Sequence, residues 1–306
     1  MTASQAPTSS RAATLRPLAP ALTAAEQGGY ALGSFAPRYT SMIRPVLRGA
    51  MRTRSPLIVQ ISQREFERYG TTPRQFAEAF FDAVATEGLD VPVVLHLDHT
   101  FELAVIEAAM DAGFTSVMID QSAKPLEENI AVSAEVVRLA HARGVSVEAE
   151  LGKIGTTDFI ETDEDEEHFT DPDEALRFVT ETRVDALAVA VGTLHGHYIT
   201  RQPRVDLARL TAIRALTPVH LVLHGGSGVP PHMIHDAIRI PGGGVSKVNI
   251  ATDLEHAMLT ALGRTERLTD EACRALPADQ MRLAQDAVER TVMDKIETYL
   301  LSAGKA

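Results

Sequence analysis

Eight short apolar runs, separated by amphipathic stretches, constrain this 306-residue chain more than any other feature. They fall at residues 30–35, 57–62, 91–97, 116–119, 145–151, 186–191, 219–223 and 246–250. Nearly all are rich in Val, Ile or Leu without polar alternation, the pattern of strands covered on both faces. Between them, residues 73–86 carry Phe76, Phe80 and Val84 at helical spacing behind the start signal Thr72-Pro73. Residues 101–112, 125–143, 172–182 and 206–216 read the same way. Buried strands alternating with helices make a parallel sheet with right-handed crossovers, and eight is the number that closes a (β/α)8 TIM barrel. A doubly wound open sheet is the rival. It normally places a glycine-rich turn after the first strand, whereas this chain has Ala36-Pro37-Arg38-Tyr39 there. The barrel is therefore the expected α/β fold. Residues 279–301 read as one further long helix, packed on the barrel or on a neighbouring subunit. Residues 1–24, rich in Ala, Ser, Thr and Pro, are expected to be a flexible N-terminal extension, with 25–306 a single domain that includes the C-terminal helix.

Composition narrows the function classes. With 29 basic and 41 acidic residues the formal charge is −12, which argues against a nucleic-acid binder or a polybasic membrane-surface protein. Two prolines and an arginine interrupt the only N-terminal apolar run, so no secretory signal is expected there. No stretch approaches the roughly 18 apolar residues of a membrane span. One cysteine, Cys273, excludes a disulfide framework and a cysteine-based zinc site. Any metal must then be held by histidine and carboxylate. A cytoplasmic location is the matching expectation.

In a barrel enzyme the polar residues at the carboxyl ends of the strands point into the active-site mouth. Those ends carry Ser62, His96-Leu97-Asp98-His99, Asp120, Glu148 with Glu150, His195-Gly196-His197, His224-Gly225-Gly226-Ser227-Gly228, and Asn249 with Thr252. One histidine at a strand end is more often a hydrogen-bonded structural residue than a ligand. Three strands that each deliver one, two of them followed directly by glycine, balance that reading against a three-imidazole metal site with an open position. The run 224–228 is either a plain tight turn or a loop whose N–H groups meet an anion. Its place after the seventh strand, beside 249–252 after the eighth, matches where barrels build phosphate sites, and so favours a phosphorylated ligand.

Taken in order, these segments resemble the class II, metal-dependent ketose-bisphosphate aldolases. The resemblance rests on Gly28–Phe35, Leu95-His96-Leu97-Asp98-His99, Gly113–Asp120, Val147–Gly155, Gly192–Gly196, His224–Gly228 and Lys247–Leu254, and it spans about residues 28–254. The Asn-Ile-Ala-Thr-Asp-Leu form at 249–254 is closer to the tagatose-bisphosphate branch than to the longer fructose-bisphosphate branch. It implies His99, His195 and His224 as ligands of a catalytic Zn2+, with Asp98 as the acid/base on the C4 hydroxyl. Asp120 and Glu150 would hold a second or displaced metal, a divalent or monovalent cation. Gly196, Gly225, Gly226, Ser227, Asn249, Ala251 and Thr252 would bind phosphate and dihydroxyacetone, with Ser62 near the substrate phosphate. The implied reaction is reversible retro-aldol cleavage of a phosphorylated ketose to dihydroxyacetone phosphate and an aldehyde, through a zinc-stabilised enediolate. A homodimer or homotetramer is implied as well. Without a Schiff base in this class, Lys153 and Lys247 are read as structural or phosphate-side charges.

The chain departs from the family at four places. Asp158 is the nearest carboxylate where the family's loop has a catalytic glutamate, so Asp158 is expected to take that role. Ala36 stands where the first strand usually ends in an asparagine. Gln121-Ser122-Ala123-Lys124 replaces Gly-Ser-His after the fourth strand, and Ser62-Gln63-Arg64-Glu65-Phe66 is an unusual second-strand exit. An intact metal motif with a rewritten surround suggests aldol chemistry on a substrate other than fructose 1,6-bisphosphate. Two alternatives are a catalytically silent member that binds sugar phosphate or supports a partner aldolase, and a metal-dependent hydrolase on the same barrel. The acidic run 161–167 is expected to be a solvated loop face, and His96 a buried structural residue.

Overall fold

In the computed structural model, residues 14–154, 169–196 and 202–306 are described. They form strands β1 (Leu32–Phe35), β2 (Leu57–Ser62), β3 (Val93–Asp98), β4 (Ser116–Ile119), β5 (Ser146–Leu151), β6 (Ala186–Val189), β7 (His220–Leu223) and β8 (Val245–Ile250). Each pairs in parallel with the next, and β8 pairs with β1, so the barrel is closed as expected. The open-sheet rival is excluded by that last pairing.

The helices are α1 (Leu18–Gly28), α2 (Ile43–Thr53), α3 (Gln63–Tyr69), α4 (Pro73–Glu87), α5 (Leu103–Ala112) and α6 (Leu126–His141). They continue with α7 (Pro172–Thr182), α8 (Leu207–Leu216), α9 (Pro231–Ile238), α10 (Thr252–Ala261), α11 (Asp270–Arg274) and α12 (Ala278–Thr298). No helix among the described residues is long and apolar enough to cross a membrane. The long C-terminal helix α12 packs on α2 and α10 of its own barrel.

The reading of residues 1–24 as a loose extension is corrected from Leu15 onward; residues 1–13 lie outside the described residues. Arg16 N–H donates to the Val93 carbonyl at 2.8 Å, and α1 begins at Leu18. Pro17 sits at the N-cap and Pro20 within the first turn, where a helix needs no N–H donor, so prolines that resemble breakers open the helix instead. Leu18, Leu22 and Ala25 then form one fully buried stripe, packed against Leu32, Ile58, Val94, Met118, Ala186 and Val222. These residues plug the amino-terminal end of the barrel. Fully burying a leucine side chain contributes about 1.5–3 kcal/mol, so this helix belongs to the domain.

Side chains alternate in and out along each strand, so positions two apart share the barrel interior. Along β3 that gives Val94, His96 and Asp98, and along β5 it gives Glu148 and Glu150. The interior therefore runs from an apolar plug, through a buried polar layer, to the carboxyl-end mouth. The strands are not free of polar alternation; inside β3 and β5 the inward face is ionisable.

Candidate active site

The sequence delivers its chemistry to one end because strand register does. Ser62 lies directly across from Asp98 in the β2–β3 ladder, and Ser34 across from Asn249 in the β1–β8 ladder. Asp98 ends β3 and is 5 % exposed. Gln60 Nε2 donates to its Oδ2 at 3.0 Å, and Asn249 Nδ2 lies 3.1 and 3.2 Å from its two oxygens. Burial favours the neutral acid, but His99, Lys247 and His224 outweigh it and hold this carboxyl well below the usual carboxylate range. Asn249 Oδ1 is buried with no hydrogen-bond partner among the described residues, one acceptor left facing the site.

His99, His195 and His224 converge. Their ring centroids lie 4.9 Å (99–195), 4.4 Å (99–224) and 5.6 Å (195–224) apart. Each offers one ring nitrogen, all within 4.8 Å of one another. The glycines that follow two of them explain the approach. A Cβ at Gly225 would sit 2.3 Å from the Leu194 carbonyl oxygen, so only glycine lets the β7 exit lie on the backbone that carries His195. Gly225 and Gly196 both adopt positive φ, 65° and 104°, which glycine takes without strain.

Neighbouring carboxylates orient the rings. His99 Nδ1 lies 2.8 Å from Asp120 Oδ2, leaving Nε2 facing His195 Nε2 at 3.2 Å. His224 Nε2 lies 3.0 Å from Glu148 Oε1, and its Nδ1 lies 3.0 Å from Glu150 Oε2. Desolvation works against the His99 imidazolium, yet Asp98 and Asp120 push its pKa up to about 10. Burial and the neighbouring rings push His195 well below its ordinary value. The pocket thus gathers Asp98, Asp120 and Glu150 around imidazoles and favours positive charge at their centre. That donor set fits a borderline-soft dication that prefers imidazole. His99, Asp120 and Glu150 form a second converging group within the same 4.8 Å limit. His96, Asp98 and Glu148 converge too, but that cluster already has its cation: Lys247 Nζ lies 2.8 Å from Glu148 Oε2. Burial would raise the Glu148 carboxyl, yet chiefly Lys247 and His224 hold it at about 2.

The glycine-rich turn and the β8 exit lie side by side. Gly226 N–H donates to the Asn249 carbonyl at 3.1 Å, and Asp253 N–H to Ser227 Oγ at 3.3 Å. Ala251 is the N-cap of α10 and Thr252 its first residue. Ser62 also reaches the mouth, where it caps α3 in a reciprocal pair with Glu65: its Oγ accepts from Glu65 N–H at 3.3 Å. The structure therefore brings Asp98, His99, Asp120, Glu150, His195, His224, Asn249 and the glycine turn to one mouth. Asp158, His197, Tyr198 and the acidic run 161–167 lie outside the described residues. His96 is fully buried, its Nδ1 2.8 Å from Ser116 Oγ, and Lys247 is a structural interior charge.

Sequence reasoning missed Gln60 as a clamp on Asp98, and placed Glu148 at a strand end without its contact to His224. Both stand two residues before a recognised site residue on the same strand face, a spacing that could have flagged them. It also missed the cluster at the β1 and β2 exits. There Glu255 of α10 accepts from Tyr39 at 3.0 Å, Tyr69 at 2.8 Å and Arg267 at 3.0 Å, and pairs with Arg38, which also pairs with Glu65 at 3.0 Å.

A closed (β/α)8 barrel with imidazoles and carboxylates converging at its carboxyl end, beside a glycine-rich turn, has the layout of a barrel enzyme with a candidate metal site. The comparisons agree. The family model described as "Fructose-bisphosphate aldolase class-II" matches residues 17–305. The chain is 39 % identical over 283 residues to the 6-phospho-5-dehydro-2-deoxy-D-gluconate aldolase of Shouchella clausii, covering 90 % of this chain and 92 % of that one. It is 37 % identical over 285 residues to the fructose-bisphosphate aldolase of Geobacillus stearothermophilus, covering 93 % and 96 %. The solved YdjI aldolase of Escherichia coli K12 superposes with a TM-score of 0.80 at 31 % identity, over 96 % of this chain and all of that one. The chain belongs to the class II fructose-bisphosphate aldolase family and is an aldehyde-lyase.

Proposed function

We propose that this enzyme cleaves a phosphorylated ketose to dihydroxyacetone phosphate and an aldehyde, with His99, His195 and His224 holding a catalytic Zn2+. The observation that carries the reading is the convergence of three imidazoles beside a carboxylate clamped in place, next to a glycine-rich turn. A zinc ion held by neutral imidazoles supplies an electrophile for the carbonyl oxygen beside the breaking bond. The chain does the rest. Asp98, kept ionised and fixed by Gln60 and Asn249, takes the C4 hydroxyl proton as the C3–C4 bond breaks. Asn249 Oδ1 accepts from a substrate hydroxyl. The N–H groups of Ser227 and Thr252 receive the phosphate, with Gly196, Gly225, Gly226 and Ala251 beside them. Ser62 lies at the same mouth. Asp120 and Glu150 orient His99 and His224 and hold a second or displaced cation. Asp158 handles the proton at the C3 carbon.

Two relatives with different substrates in their names are 39 % and 37 % identical to this chain, so overall similarity does not choose between those substrates. The site does favour a departure from fructose 1,6-bisphosphate. Ala36 brings no polar group to the mouth, and Arg38 beside it is committed to Glu65 and Glu255. Both named relatives are aldolases, which favours the catalytic reading over the silent one.

A screen of phosphorylated and unphosphorylated ketoses, read by triose release from zinc-loaded and chelator-stripped protein, tests the proposal. Metal-dependent release of dihydroxyacetone phosphate is expected. Full activity after stripping, or no turnover of any ketose phosphate by the zinc-loaded enzyme, would overturn it.

A further inference from the structure

We infer that the C-terminal helix α12 braces the phosphate cradle, and that Tyr299 and Lys295 are positioning residues for phosphate recognition. The inference rests on the reading of 225–227 and 249–252 as that cradle. Tyr299 is the C-cap of α12 and is buried, and its hydroxyl donates to the Gly226 carbonyl oxygen. A trans peptide points its C=O and N–H in opposite directions. Fixing the Gly226 carbonyl toward α12 therefore fixes the Ser227 N–H pointing away from the outer helical layer. Gly226 cannot drift to compensate, because even a Cβ there would lie 2.5 Å from Val248 and 2.7 Å from the Asn249 carbonyl. Without the phenol, the tight turn would keep its glycines but lose a donor that sets the plane of its central peptide.

Lys295 acts on the other half of the cradle, one turn earlier on α12. Its Nζ lies 2.7 Å from Asp253 Oδ2 and 4.4 Å above the Tyr299 ring. Asp253 stands in the first turn of α10, and the same Oδ2 accepts from Gly228 N–H at 3.4 Å. The lysine ties the end of the glycine turn to the start of α10 and offsets a carboxylate charge beside the anion site. Both contacts are about 15 % exposed, so the pairing is shielded from bulk solvent. One helix thus touches both halves of the cradle while its residues stay out of the mouth.

The test uses full-length, zinc-loaded enzyme and follows deuterium exchange at C3 of dihydroxyacetone phosphate, which needs no aldehyde. Inorganic phosphate serves as a competing anion and dihydroxyacetone as the unphosphorylated control. Tyr299→Phe is expected to raise the KM for dihydroxyacetone phosphate and the inhibition constant of inorganic phosphate by about five- to 150-fold, the size of one buried carbonyl left without its donor. The maximal exchange rate should stay within about twofold, and exchange into dihydroxyacetone should not change. Lys295→Met should raise the same two constants by less, with the difference from wild type shrinking as salt is added. Leu283→Ala, exposed on the same helix, should change neither. Unchanged constants in both variants, or an equal loss on dihydroxyacetone, would overturn the bracing role alone. Wild-type enzyme that exchanges no dihydroxyacetone phosphate and ignores inorganic phosphate would overturn the cradle reading, and this inference with it.

Discussion

The two sides of the barrel mouth use the same residue types to opposite ends. On the β3–β7 side, Asp120 holds the outer nitrogen of His99 and Glu148 that of His224, while His99 Nε2 faces His195 and His224 Nδ1 faces Glu150 around a common centre. On the β1–β2 side, Arg38, Tyr39, Tyr69 and Arg267 all turn to Glu255, and Arg38 also to Glu65. One side leaves its polar atoms facing a shared point; the other consumes them on one another. Polarity in a mouth is therefore no measure of reactivity. What matters is whether a side chain is backed from behind, so its free atom faces inward, or is met from the front.

This contrast can be broken at several points, largest effect first. Stripping the metal with a chelator should lower cleavage by about a thousandfold or more, matching several kcal/mol of lost charge stabilisation, and added Zn2+ should restore it. Asp98→Asn should cost about a hundred- to ten-thousandfold in kcat with the fold retained by circular dichroism. Lys247→Met leaves Glu148 charged and buried behind His224, and should lose about 3–5 kcal/mol in denaturant unfolding. The double variant with Glu148→Gln should recover part of that loss. On the other side, Glu255→Gln should cost about 1–3 kcal/mol of stability while moving kcat less than tenfold, because its partners touch one another rather than substrate. A larger effect on kcat than on stability would show that the β1–β2 side takes part in chemistry. The smallest change, Ala36→Asn, should lower the KM for fructose 1,6-bisphosphate by up to about tenfold, the worth of one hydrogen bond.

Much of the site was legible because it lies on strand ends. Asp98, His99, Asp120, Glu150, His224 and Asn249 follow from apolar runs that stop at polar residues, and eight such runs already imply a common mouth. The N-terminal helix was not legible. Pro17 and Pro20 signal a break when read locally, and only the open end of a barrel turns Leu18 and Leu22 into a plug. Glu255 was equally hidden. Its partners lie up to about 217 positions away in sequence, on elements with no shared periodicity.

By itself, then, the sequence determined the barrel, the end that bears the chemistry and the residue types gathered there. Hydrophobic periodicity and strand alternation are local properties, and eight such patterns suit a closed barrel, which the β8–β1 pairing completes. Tertiary structure decided which carboxylates meet the rings of His99 and His224, that Lys247 sits among the inner carboxylates, and that the end of α12 reaches the glycine turn. Those depend on distances between residues far apart in the chain, set by packing and by the need to pair each buried charge.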